Sequence, residues 1–133
     1  MDIKVDELTK DDYKRLRELV NWSNPLDSGI EKLLKNSFVV LSAHIDGEVV
    51  GMIRAISDKS YSYFIKDLVV DPKYQHRGIG KALVEKLEEY IKEESNGEIY
   101  MIELSASNSA IGFYEELGYS IPKQTVGMRK IIK

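Results

Sequence analysis

The run Gln75-His76-Arg77-Gly78-Ile79-Gly80-Lys81 sets two glycines, one residue apart, at the head of a strongly helical stretch, just after a strand that ends in Asp71-Pro72. The first turn of a helix has N–H groups without intrahelical partners and a partial positive charge. Glycine at 78 and 80 leaves those N–H groups bare, so a phosphate can reach them. Gln75, His76, Arg77 and Lys81 add donors or charge around the same turn. Each charge-assisted hydrogen bond contributes about 1.5–3 kcal/mol, so several would hold a diphosphate without a metal ion. Two familiar nucleotide loops fail here. A dinucleotide fingerprint needs Gly or Ala where Leu83 stands, and a Walker A loop needs Gly at Gln75 and a hydroxyl at Ala82. On the residues alone, a pyrophosphate cradle and plain close packing of helix on strand both stay open.

A turn of this kind has to be carried by a sheet and a helix, and the surrounding pattern supplies them. "DIKVDEL" alternates as a first strand. Thr9 caps a helix bearing Tyr13, Leu16, Leu19 and Val20 on one face, which stops before Pro25. A short helix follows at 30–35. "SFVVLSAHI" and "EVVGMIRAIS" are strands joined by Asp46-Gly47, a strong hairpin signal. "YSYFIKDLVV" is a strand that leads into Asp71-Pro72. The helix from Gly78 to about Glu94 repeats apolar residues at helical period, and Asn96-Gly97 closes it. "IYMIELSAS" is a strand and "SAIGFYEEL" a short helix stopped at Gly118, and the tail is expected to hold one or two more strands, "GMRKIIK" the better candidate. Hairpin strands followed by a strand–helix–strand crossover give an α/β chain of α+β character, with a mixed sheet and helices packed on it.

The chain has 133 residues, which suggests one domain over 1–133. Hydrophobic residues make up 43% and charged residues 31%, the balance of an ordinary globular protein. There is no long apolar run and no signal-peptide pattern at the start, so neither a membrane partner nor export is expected. With no cysteine, disulfides, zinc–thiolate sites and a thiol nucleophile are excluded, and a cytoplasmic location is expected. His44 and His76 are too few and too far apart for a metal site. The formal net charge is −3, which argues against bulk nucleic-acid binding. The "EKLEEYIKEES" run reads as a solvated helix face.

Gln75-His76-Arg77-Gly78-Ile79-Gly80 resembles the [QR]-x-x-G-x-[GA] segment of GNAT-type N-acetyltransferases, which use acetyl-coenzyme A. "AIGFYEELGY" is similar to that family's A-x-x-F-Y-x-x-x-G-[FY] segment, and a strand lies between the two motifs, as it does there. The resemblance is firm from about Tyr63 to Tyr119. It implies a mostly antiparallel twisted sheet, splayed at its central strands. It further implies that backbone N–H groups of Gln75, Arg77, Gly78, Ile79, Gly80 and Lys81 grip the coenzyme's pyrophosphate without a metal. Leu68, Val69 and Val70 would pair with the pantetheine arm as if with an added strand. An N–H near Val70 would polarise the thioester carbonyl.

Tyr114 falls on the position where the family keeps a Tyr that protonates the departing thiolate. A phenol of pKa near 10 suits a thiol of pKa near 8.5, since it can donate without staying ionised. The implied reaction is direct attack of a primary amine, on a small molecule or a protein, through a tetrahedral intermediate. The alternative is a non-catalytic sensor or complex subunit that binds the coenzyme. A third reading, a nucleotide binder of another kind, uses the same helix start. Two departures stand out. Where many relatives place a Glu base on the central strand this chain has Lys66, which leaves Tyr63, His44 or a water chain to take the amine's proton. The family's coenzyme-touching Asn falls on Ser107, and Asn108 comes one residue later. Asp67 reads as a polar group on the strand face, and Asn108 carries over either as a coenzyme contact or as a helix cap. Trp22, Tyr13 and Leu26 are candidates to line the acceptor pocket or to pack. Relatives commonly form a homodimer through sheet edges or C-terminal strands.

Overall fold

A computed structural model describes residues 1–133, which divide into two compact units, Met1–Glu103 and Leu104–Lys133. The first unit holds a five-stranded sheet in chain order: β1 (Asp2–Val5), β2 (Val39–Ile45), β3 (Glu48–Ser57), β4 (Ser62–Val70) and β5 (Met101–Glu103). Neighbours are antiparallel except β4 and β5, which are parallel because a helix carries the chain between them. Asp46 and Gly47 both take positive φ, 50° and 78°, so β2 and β3 meet in the two-residue turn that matches strand twist.

Two helices, α1 (Lys10–Leu19) and α2 (Asp27–Asn36), precede β2, and α3 (Ile79–Ser95) follows β4. Thr9 caps α1 as its spacing requires: its Oγ1 accepts from the Asp12 N–H at 3.1 Å. Tyr13 and Leu16 of α1 and Ile30 of α2 are buried with Val40, Met52 and Val69 of the sheet. The other sheet face meets α3 at Gly51. A Cβ there would stand 3.1 Å from Leu83 Cδ1 and 3.4 Å from Ile79 Cγ2, so the glycine sets how closely the helix lies on the strand. Leu83, Val84, Leu87 and Ile91 are buried along α3. Phe38 stands edge-on to Tyr63 and Tyr90, and Tyr63 to Tyr100. Asn96 and Gly97 end α3 in left-handed conformation.

The second unit contains a short 3-10 turn (Asn108–Ala110) and one helix, α4 (Ile111–Glu116). Gly118 closes α4 at φ 95°, with its N–H on the Glu115 carbonyl at 3.0 Å. The strand expected over "GMRKIIK" is absent: residues 120–133 hold no helix or strand. Apolar residues such as Met128, Ile131 and Ile132 make a strand only beside a partner strand, and this unit contains none. For the same reason the strand expected over "IYMIELSAS" is ordered only at Met101–Glu103, where β4 pairs with it.

Candidate functional site

β4 is the strand on which the site depends. Its pairing with β5 covers Ser62, Tyr63 and Phe64 only, so the edge beyond Phe64 faces no neighbouring strand of this sheet. This is the splay expected for the central strands. On its other side β4 runs along β3 to Val70, and the Asp71 N–H donates to the Val50 carbonyl at 2.8 Å. Backbone groups alternate sides along a strand, so the Val70 N–H faces away from β3, onto the open edge. The Val69 carbonyl faces β3, 3.2 Å from the place of a Cβ on Gly51. The Val70 carbonyl accepts from Gln75 Nε2 at 3.1 Å, which folds the following turn back onto the end of the strand.

Asp71 then starts a 3-10 turn at Pro72–Tyr74, where its buried carboxylate accepts from the Lys73 N–H at 3.0 Å. His76 and Gly78 are left-handed, at φ 65° and 81°. Gly78 is the N-cap of α3, and no side chain caps it. The N–H groups of Ile79, Gly80 and Lys81, at the first turn, therefore have neither intrahelical nor side-chain partners. Gln75, His76, Arg77, Gly78 and Lys81 are exposed around this turn, and the Arg77 guanidinium lies 5.2 Å from the Tyr74 ring centre. The residues singled out at 68–70 and 75–81 thus form one continuous feature, an open strand edge running into an uncapped helix start. That donor set fits a diphosphate ester. A shallow groove of about 590 Å³, lined by Glu85, Glu88, Glu89, Lys92, Tyr100 and Ile102, lies further along α3, where its carboxylates suit no anion.

In the second unit Tyr114 is half-buried, with Phe113 and Tyr119 packed edge-on to its ring at 5.0 and 5.8 Å. Burial pushes its hydroxyl pKa above the usual phenol value, so it is held as a proton donor. Asn108 opens the 3-10 turn after Ser107, so Ser107, not Asn108, stands at the N-cap.

The structure also places the other single residues weighed from the sequence. Tyr13 is 1% exposed and belongs to the core, not to a pocket wall. Leu26 and Trp22 are exposed. His44 sits on β2, opposite Asp2 and Val49 and 2.8 Å from Ser42 Oγ, with β3 between it and β4. Tyr63 is buried among aromatic rings, and burial raises its pKa, so it is a poor base. Lys66 is exposed, with its ammonium 5.3 Å from the Phe64 ring centre.

Asp67 is the residue that sequence reasoning undervalued. Its side chain is 7% exposed and accepts from Tyr13 Oη at 2.6 Å, from Arg54 Nε at 2.6 Å and from Arg17 Nη1. Its φ of 56° is left-handed, which is unusual for a residue with a side chain. The alternation of β4 breaks at this point. The only available signal was an Asp within an apolar strand, with arginines elsewhere to meet it.

The model of the acetyltransferase (GNAT) family matches residues 4–119. A histone acetyltransferase of Glycine max is 35% identical over 129 residues, 88% of this chain and 54% of its own length. A chloroplastic GCN5-related N-acetyltransferase of Arabidopsis thaliana is 33% identical, over 88% of this chain and 52% of its own. The chain thus spans about half the length of these curated relatives. Among solved structures, a Staphylococcus aureus protein described as a probable acetyltransferase superposes with a TM-score of 0.86 at 28% identity, covering 99% of this chain and 100% of that one. A GNAT-family acetyltransferase of Streptococcus pneumoniae gives 0.82 at 31% identity, covering 99% and 98%. An aminoglycoside acetyltransferase from an uncultured soil sample, solved with sisomicin, gives 0.73 at 25%, covering 98% and 97%.

Proposed function

The chain belongs to the acetyltransferase (GNAT) family, and we propose that it is an N-acetyltransferase that moves the acetyl group of acetyl-coenzyme A to a primary amine of a small molecule or a protein. The observation that carries this reading is the open edge of β4 running directly into the uncapped start of α3. Acetyl-coenzyme A supplies a thioester, whose transfer yields an N-acetylated amine and a free thiol. The backbone amides of Gln75, Arg77, Gly78, Ile79, Gly80 and Lys81 hold the pyrophosphate without a metal ion, supported by the charges of Arg77 and Lys81. Leu68, Val69 and Val70 guide the pantetheine arm along the open edge. The outward Val70 N–H hydrogen-bonds the acetyl carbonyl. Tyr114, kept protonated by its burial, gives its proton to the leaving sulfur. Asn108 is a further coenzyme contact. The two units work as one acetyltransferase domain, in keeping with a family match that runs across both.

The test is thiol release from acetyl-coenzyme A across a panel of amines and peptides. Tyr114→Phe should lower kcat about 10²–10⁴-fold, the usual range for a lost general acid, and leave the KM for acetyl-coenzyme A nearly unchanged. A second reading, a coenzyme-binding module without turnover, draws on Lys66 standing where relatives keep a Glu base. It would be upheld by tight binding with no thiol release from any acceptor. Absence of binding would defeat both.

A further inference from the structure

Between two register pairs, Arg54↔Lys66 and Met52↔Val69, one residue of β3 faces two of β4: Ile53 lies opposite Asp67 and Leu68. This is a β-bulge, and Asp67 at φ 56° is its turning residue. Such a place usually goes to glycine, which has no side chain to strain. Here it is occupied by a residue whose carboxylate is gripped by three side chains from two elements. Tyr13 and Arg17 of α1 hold it from the helix, and Arg54 of β3 from the strand. Arg17 extends the grip, donating its other amino group to the Ser23 carbonyl at 2.7 Å and lying 5.2 Å from the Trp22 ring centre. Arg54 likewise reaches Ser37 Oγ at 3.2 Å.

The consequence for β4 follows from strand geometry. Without the bulge, Asp67 would pair with Ile53, Leu68 with Met52, Val69 with Gly51 and Val70 with Val50. Every later residue would then shift by one place, and each side chain and backbone group would change sides. Val69, now buried against α1, would leave that core. Val70 would take the place of Asp71, and its N–H would point at Val50 and not at the open edge.

We propose that Asp67 is a positioning residue: its carboxylate, clamped by Tyr13, Arg17 and Arg54, holds the bulge that turns the Val70 N–H onto the open edge of β4. The clamp also fixes α1, and with it the Trp22–Ser23 loop, in register with that edge. This inference rests on the acetyltransferase reading for its effect on turnover, but the bulge itself is measured without ligand.

The experiment uses Asp67→Ala and the isosteric Asp67→Asn in the full chain. Amide hydrogen exchange on ligand-free protein gives the first readout. In the wild type the Asp71 amide, bonded to the Val50 carbonyl, should exchange slowly and the Val70 amide quickly, and in the variants that contrast should narrow or invert. Kinetics give the second. kcat should fall about 100-fold, the scale of a misplacement near 1 Å, and by more than the KM for acetyl-coenzyme A rises, because the pyrophosphate seat at 75–81 lies outside the bulge. If Asp67→Ala fails to fold, Asp67→Asn decides. An unchanged exchange contrast with kcat within about 3-fold of wild type overturns the proposal, as does a kcat loss with the contrast intact. A wild-type protein that binds no acetyl-coenzyme A would defeat the acetyltransferase reading alone, and the exchange contrast would still decide the clamp.

Discussion

Replacing Tyr13 by Phe removes one oxygen and leaves the ring in place. That oxygen donates to Asp67 at 2.6 Å from a side chain only 1% exposed. A buried hydrogen bond to a charged acceptor contributes about 1.5–3 kcal/mol, so the variant should be less stable than wild type by that amount near pH 7. The pH dependence gives an independent check. Burial first, and the bond to Asp67 second, push the Tyr13 pKa from 10.0 up to about 12. A folded value above the unfolded one means that the unfolded chain releases this proton first. The stabilisation is therefore complete below pH 10 and is lost as pH rises towards 12. Urea denaturation of both proteins at pH 7, 9 and 11 should show a gap that is constant up to pH 9 and shrinks by pH 11. Equal midpoints at pH 7, or a gap that widens with pH, would refute the argument.

Gly51→Val should cost about 1–3 kcal/mol in denaturant unfolding, because its branched side chain meets Leu83 and the Val69 carbonyl where even a Cβ has 3.1–3.2 Å. Gly78→Ala meets open space but a φ of 81°, so it should cost about 1–2 kcal/mol of local strain. Relief of that strain should shift the amides of the helix start, so calorimetry should show acetyl-coenzyme A affinity reduced about tenfold, and an unchanged affinity in a variant that has lost the expected stability would count against the helix start as part of the binding site.

The local rules read well wherever the chain meets only itself. Thr9, Asp46-Gly47, Asn96-Gly97 and Gly118 act at the positions their chemistry marks, since caps and tight turns are decided within a few residues. The glycine turn was legible for the same reason. The end of the chain was not, because a strand depends on a partner that spacing cannot supply. Asp67 was missed on the same ground. Its partners Tyr13, Arg17 and Arg54 lie far off in sequence, and an acidic residue on a strand looks the same from the sequence whether solvated or clamped. Tyr13, at helical spacing with Leu16, carried a core signal, and of its two readings, packing and pocket wall, packing is the one the structure bears out.

The central claim is that the open edge of β4 and the bare start of α3 form one seat for acetyl-coenzyme A. Titrating the ligand into ¹⁵N-labelled protein tests it most directly. The amides of Leu68, Val70, Gln75 and Arg77 to Lys81 should move first and furthest, with Glu85, Glu88 and Glu89 little affected. Saturable binding that leaves the first group still and moves the second would contradict the account.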